Sequence, residues 1–318
     1  MKYQATSKPI KIENVSHDQW LENRKSGIGS SEIATIVGLN PYETPYQLWL
    51  RKTGQTPAKE ESFFMKAGHY LEDAVARFYE DESGRKVINR SAAEDIYVHP
   101  NFEWARVSPD RMFWRDAKRS GDNKGILECK TTQMSVDGDN LPPYWFTQVQ
   151  YQLGVMAREN GSLAWLSAGR SFDYRDIVLV PDYFEWLMEE GEKFYIDNIL
   201  GGNEPSLSNA DDVLLKYPTH TIGSFVEAPG DLANEIESLK KIKAKIKELE
   251  DDKDRIEEAV KLTIGEAESL NFCGSVLATY KAPKAGTKFD EKAFKSAHSD
   301  LYSEYSKEVQ GARRLLIK

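Results

Sequence analysis

The chain has 318 residues, a formal net charge of −9, 40% hydrophobic and 29% charged residues. That size buries one good core and carries a smaller second unit, and the composition is that of a soluble globular protein. No stretch reaches the roughly 20 apolar residues needed to span a bilayer and residues 1–10 hold no apolar signal core, so the expectation is a cytosolic protein with no membrane segment.

In chain order, Trp20 to Lys25 reads as a helix. Gly27-Ile28-Gly29-Ser30-Ser31-Glu32 is a glycine-rich turn, after which a serine cap starts a helix through Ile33, Ile36 and Val37. Asn40-Pro41-Tyr42 breaks it, and Pro45 to Lys52 is another short helix. Ser62 to Glu82 is the clearest early helix, with Leu71, Val75, Phe78 and Tyr79 on one stripe and Gly84 as its stop. Strand-like runs follow at Asp95 to His99, Glu103 to Val107, Arg111 to Arg115 and Gly125 to Thr131, with a hairpin turn at Gly121-Asp122-Asn123. A helix from Tyr144 to Glu159, strands at Leu163 to Ala168 and Asp176 to Val180, and a helix from Pro181 to Leu200 complete a mixed α/β domain.

Gly201-Gly202-Asn203-Glu204-Pro205 is the expected boundary, giving a domain over 1–205, a polar linker over 206–230 and a helical extension over 231–318. In that extension Leu239, Ile242, Ile246, Leu249, Ile256 and Val260 fit heptad a and d positions, with Lys253 interrupting at an a position. This predicts a solvated helix or a short coiled coil. Ser275 to Tyr280 reads as a strand, and the chain ends in a basic–apolar run, Arg313 to Lys318.

The chemistry concentrates at Ser108-Pro109-Asp110 and Ile126-Leu127-Glu128-Cys129-Lys130. Residues two apart in a strand point the same way, so Glu128 and Lys130 project together while Leu127 and Cys129 face the packed side. Asp110 and Glu128 on one sheet edge make a hard-oxygen pair suited to Mg²⁺, with the Cys129 carbonyl as a further donor. A lysine beside them can orient a water or stabilise phosphate charge. Alone, Glu-x-Lys is an ordinary exposed strand pair; Glu72 beside its helix stripe, and Gln148 and Gln152 four apart on one helix face, add polar company. The net charge of −9 is not that of a typical nucleic-acid binder, but a metal would offset these carboxylates locally, and any nucleic-acid footprint must then be a local basic patch. Two cysteines, Cys129 and Cys273, exclude a disulfide framework or a four-cysteine metal site.

Arg24, Gly29-Ser30-Ser31-Glu32, Leu71-Glu72, Ser108-Pro109-Asp110, Leu127-Glu128-Cys129-Lys130 and Gln148-Val149-Gln150-Tyr151 occur in an order that resembles the YqaJ-like phage recombinases. These are similar to the lambda phage exonuclease and belong to the PD-(D/E)XK nuclease superfamily. The resemblance covers about Trp20 to Leu200. It implies a restriction-endonuclease-like core, a central mixed sheet flanked by helices. It implies that Asp110, Glu128 and the Cys129 carbonyl bind Mg²⁺, with Mn²⁺ as a substitute, that Lys130 positions the attacking water, and that Glu72 supports the metal indirectly or binds a second ion. Gln148 matches the glutamine of the last motif, and Arg24 and Ser31 match a pair that grips a terminal 5′ phosphate; Ser30 and Gln152 are grouped with them as DNA contacts.

The implied activity is exonucleolytic digestion of the 5′ strand at duplex DNA ends, leaving 3′ single strands for recombination with a single-strand annealing protein. A homotrimer and a phage or prophage gene in a bacterial cytoplasm also follow from the resemblance. The alternatives are a nicking or structure-specific endonuclease, and a catalytically silent DNA-binding scaffold.

Overall fold

The computed structural model describes residues 2–3, 8–12, 17–56, 62–88, 95–307, 311 and 313–317. Lys318 of the basic terminus, and residues 1 and 4–7 of the polar start, lie outside the described residues. The chain forms two compact units, Met1–Val213 and Leu214–Lys318.

The first unit runs through β1 (Ile10–Ile12), α1 (His17–Lys25), α2 (Ser30–Ile36), α3 (Pro45–Lys52), α4 (Phe63–Ser83), β2 (Val87–Ile88), β3 (Ile96–His99), β4 (Phe102–Val107), β5 (Arg111–Trp114), β6 (Lys124–Thr132), α5 (Pro143–Val155), β7 (Asn160–Ser167), β8 (Ser171–Val178) and α6 (Pro181–Lys193), which continues as a wider turn over Phe194–Leu200. Local chemistry sets several of these ends. The Thr44 hydroxyl accepts the Gln47 N–H at 3.1 Å and Pro45 opens α3. Ser62 accepts the Met65 N–H at 3.2 Å, and Gly84 closes α4 in the left-handed region at φ 67°.

A mixed sheet in the order β2-β5-β6-β7-β8 forms the centre. β5 and β6 are antiparallel, β6 and β7 parallel, β7 and β8 antiparallel. Parallel neighbours need a crossover, and α5 supplies it. Alternation along β6 then sorts its side chains. Ile126 enters the core with Val149 and Leu153 of α5, Leu163 and Trp165 of β7, and Leu187 of α6. Leu127 and Cys129 enter the second core, against Val75, Ala76 and Tyr79 of α4. The Tyr79 hydroxyl meets Ser162 Oγ at 2.8 Å and ties α4 to β7. A second sheet, β1-β3-β4, is antiparallel. The expected mixed α/β fold with a central mixed sheet and flanking helices is the one observed.

Several boundaries differ from expectation for identifiable reasons. α5 stops at Val155, four residues short, because Met156 caps it and Ala157 takes φ 51°. The chain is thereby released into β7 early enough for Gly161 to pair with Ile126. The buried stripe of α4 is Val75, Ala76 and Tyr79, whereas Leu71 and Phe78 are 40% and 44% exposed. The short strands β1 and β2 carry too little pattern to read from sequence and exist through their partners, β3 and β5.

The first unit extends past 205 to Val213. Within 206–230, a helix α7 (Ala210–Lys216) forms, and its fully buried Asp212 accepts hydrogen bonds from Thr44 Oγ1 at 2.8 Å and Gln47 Nε2 at 3.1 Å. The second unit contains α8 (Gly230–Ile264), a hairpin of β9 (Ser269–Phe272) and β10 (Ser275–Thr279), and short helices α9 (Glu291–Ala297) and α10 (Ser299–Tyr305).

Candidate active site

β6 carries Glu128 and Lys130 toward α5, as strand alternation requires, and the facing helix answers with Gln148 and Gln152. Lys130 Nζ donates to Glu128 Oε1 at 2.7 Å and to Gln148 Oε1 at 2.9 Å, while Gln148 Nε2 donates to Glu128 Oε1. Gln152 Nε2 reaches Glu128 Oε2 at 2.7 Å. Glu128 is 2% exposed, so a carboxylate here depends on these donors. Burial works against the Lys130 ammonium, yet Glu128 and Asp110 outweigh it and hold the ammonium above its ordinary range.

Asp110 sits just before β5, which pairs with β6 so that Arg111 lies opposite Leu127. Its Oδ2 accepts the Cys129 N–H at 2.7 Å, which fixes the carboxyl against the strand bearing Glu128. Burial, then the negative charges of Glu128 and Glu72, push the Asp110 carboxyl well above the usual aspartate range; Lys130 and the Cys129 N–H pull the other way. Acids that crowd one another in a poorly hydrated corner gain from a cation. The Cys129 thiol is raised well above its usual range by burial and the same three carboxylates, so it stays protonated and packed.

Glu72, on α4, is not free to lean over the acids. It pairs with Arg111 Nη1, whose Nη2 donates to Asp73 at 2.6 Å. Arg111 escaped the reading of the sequence. Its only signal is its place directly after Asp110, where alternation turns it to the opposite side, toward α4. Glu72 stays close enough for its charge to act on Asp110.

Two expected DNA contacts are corrected. Gln152 is fully buried and Ser30 is 7% exposed, and they meet each other, Gln152 Nε2 to Ser30 Oγ at 3.3 Å. Neither presents a surface to DNA. They couple the start of α2 to Glu128 instead. Ser31 and Arg24 are exposed, and the Arg24 guanidinium lies over the Trp20 ring at 4.6 Å. Beneath them is a cluster that the sequence did not advertise. Buried Glu32 pairs with Lys52 at 2.7 Å and Arg51 at 3.1 Å and accepts the Gly29 N–H at 2.8 Å. Burial alone would raise the Glu32 carboxyl, but Lys52, Arg51 and the Gly29 N–H hold it below its ordinary range. An acid three residues past a glycine turn was its only clue, and its partners come from α3. Of the aromatics near the motifs, Trp104, Phe113 and Trp145 are buried in the core, while Trp114, Tyr144 and Phe146 are half-buried.

The donor set suits Mg²⁺, which takes one or two carboxylates, keeps several waters and shares the substrate phosphate. Asp110 and Glu128 are the carboxylates that could contribute to such a site; among the described residues no group of three or more His, Cys, Asp or Glu side chains forms a metal cage by itself.

A family model described as the YqaJ-like viral recombinase domain matches residues 19–159. The Bacillus subtilis (strain 168) protein YqaJ, itself uncharacterized, is 32% identical over 319 residues, spanning 97% of this chain and 96% of its own. Among solved structures, the alkaline exonuclease LHK-Exo of Laribacter hongkongensis is similar over 63% of this chain and 96% of its own, with 17% identity and a TM-score of 0.45. A phage related exonuclease of Haemophilus somnus 129PT is similar over 56% of this chain and 96% of its own, with 11% identity and a TM-score of 0.37.

Proposed function

This chain belongs to the YqaJ-like viral recombinase domain family, and from that premise we propose that it is a Mg²⁺-dependent DNA exonuclease that digests the 5′ strand of duplex ends to leave 3′ single strands for recombination. The observation that carries the reading is the closed hydrogen-bond set of Glu128, Lys130 and Gln148, with Asp110 fixed against the same strand by the Cys129 N–H.

Asp110, Glu128 and the main-chain carbonyl of Cys129 would hold Mg²⁺, with Mn²⁺ as a substitute. When bound, the ion offsets phosphate charge and makes a water a better nucleophile at neutral pH. The residues of the chain do the rest. Lys130, held by Gln148, presents its ammonium where a water and a phosphate oxygen would sit, orienting the one and stabilising charge on the other. Gln148 and Gln152 fix the Glu128 carboxylate from two directions, so that little motion is needed on substrate arrival. Arg111 holds Glu72 near Asp110, where it adds negative charge for the ion. Arg24 and Ser31 are the candidates to grip a terminal 5′ phosphate, since a guanidinium forks onto phosphate oxygens. The polarity of digestion, a single-strand annealing partner and a homotrimer around DNA are carried by the family resemblance.

The test uses duplexes labelled at either end, with and without a 5′ phosphate, and a covalently closed circle, with and without Mg²⁺. The expected result is Mg²⁺-dependent loss of the 5′ strand, faster from phosphorylated ends, with the circle intact. Cutting of the circle would replace the exonuclease with an endonuclease. Equal rates with and without the phosphate would remove the role of Arg24 and Ser31.

A further inference from the structure

The active site leaves α8 unexplained. This helix has 35 residues, about 52 Å at 1.5 Å per residue, and lies wholly in the second unit. Most of its large apolar residues keep heptad spacing: Leu232, Leu239, Ile246 and Val260 at a positions, Ile242, Leu249 and Ile256 at d positions, with Glu235 and Lys253 interrupting and Ile236, Leu262 and Ile264 outside the seam. Leu232, Leu239, Ile242, Ile246, Leu249 and Ile256 are 38–56% exposed. A seam of this length is more than a lone surface helix displays, and it takes three to four heptads to sustain a coiled coil.

Its charges identify the occupant. Lysines crowd the stretch before the midpoint, at 240, 241, 243, 245 and 247; acids crowd the stretch after it, at 248, 250, 251, 252, 254, 257 and 258. Only Lys253 and Arg255 interrupt the acidic stretch. The sign changes between Lys247 and Glu248. A second copy lying antiparallel, with the two-fold axis at that point, sets each basic stretch against the partner's acidic one. The heptad then places Ile246 opposite Leu249 and Leu239 opposite Ile256 in the seam, with Lys245 facing Asp252 and Lys243 facing Glu250 along its flanks. A parallel pair is worse. It stacks Lys253 on its own copy in one layer and sets Asp252 against Glu257, leaving Lys245 with Glu250 as its one favourable flanking pair. In the antiparallel pair Lys253 meets Ile242, and its ammonium is already turned aside to Asp254 at 3.2 Å, so its stem can lie along the seam.

We infer that α8 is a self-association element that joins two copies of this chain as an antiparallel coiled coil centred between Lys247 and Glu248. The inference does not depend on the nuclease reading. It means that whatever assembly the first unit forms is doubled through the second, so that one particle holds twice as many active sites.

The experiment uses the full-length chain. Light scattering compares it with the double substitution Ile246→Lys and Leu249→Lys, with helix content followed by circular dichroism. The expected result is a particle of half the mass with near-unchanged helix content. For orientation, a tagged Ile246→Cys protein and an untagged Leu249→Cys protein, both carrying Cys273→Ser, are mixed and oxidised. The antiparallel pair gives the mixed disulfide between the two proteins. Self-linked Leu249→Cys dimers in place of the mixed product would overturn the orientation. Unchanged mass with no cross-link in either direction would overturn self-association and leave the seam to a different protein.

Discussion

Asp110 shows how the side chains of the site trade stability for readiness. Burial and the neighbouring Glu128 and Glu72 raise its carboxyl well above the usual range. The folded chain therefore holds a proton there more tightly than the unfolded chain does. Its charged form costs stability, beginning as pH rises past the unfolded value of about 3.9 and complete above the raised folded value. Asp110→Asn keeps an oxygen to accept the Cys129 N–H and removes the charge. We expect it to abolish Mg²⁺-dependent cleavage and to raise the Tm of the metal-free protein at neutral pH, with the gain fading toward pH 4. A gain of equal size at pH 4 and pH 8 would contradict the charge argument. Gln152 acts one step further out. Gln152→Leu leaves Glu128 Oε2 without its donor and should lower kcat about 10–100-fold, as is usual for groups that orient metal ligands. Duplex binding, measured in Ca²⁺, should stay unchanged; weaker binding with unaltered turnover would return Gln152 to the role of DNA contact.

At the scale of elements, α5 is the piece whose placement matters most, because it brings both glutamines to β6. Its approach to α6 is set by Gly154, where an added methyl would sit 2.2 Å from the Phe184 ring. Gly154→Ala should cost about 1–3 kcal/mol through overpacking and lower activity as the helix is pushed off β6. Trimming the obstruction with Phe184→Leu in the same chain should recover part of both losses, read by thermal melting and by nuclease rate. A Gly154→Ala protein with unaltered Tm would show that α5 and α6 pack less tightly than this geometry requires. β6 was legible because the apolar pair Ile126-Leu127 follows a glycine-marked turn and runs straight into the motif Glu128-Cys129-Lys130. Its neighbours in the sheet were legible as strands, but their order was not. The parallel pairing of β6 with β7 follows from the α5 crossover, a long-range event with no local signature.

For the molecule as a whole, the end of the first unit is decided by one buried acid. Asp212 holds Thr44, Gln47 and the Ser208 N–H, the last at 2.8 Å. A fragment ending at residue 205 leaves those groups to find water, at about 1–3 kcal/mol for a buried polar group that does not. A fragment of residues 1–216 should therefore melt at a clearly higher temperature than one of residues 1–205. Equal melting temperatures would restore the boundary at the glycine pair Gly201-Gly202.

By itself the sequence determined the periodic and the local: most helices of the first unit, the strand bearing Glu128 and Lys130, the turn that lets Asp110 return beside them, and the heptads of α8. Each is written in residues a few positions apart, where spacing alone says which side chains share a face. Only the tertiary structure decided that Gln152 and Ser30 face inward, that Glu72 is held by Arg111, that Glu32 is matched by Lys52 and Arg51, and that Asp212 closes the first unit. Those pairings join groups distant along the chain. Burial and charge compensation select such partners after the layers have packed, and no local pattern encodes them.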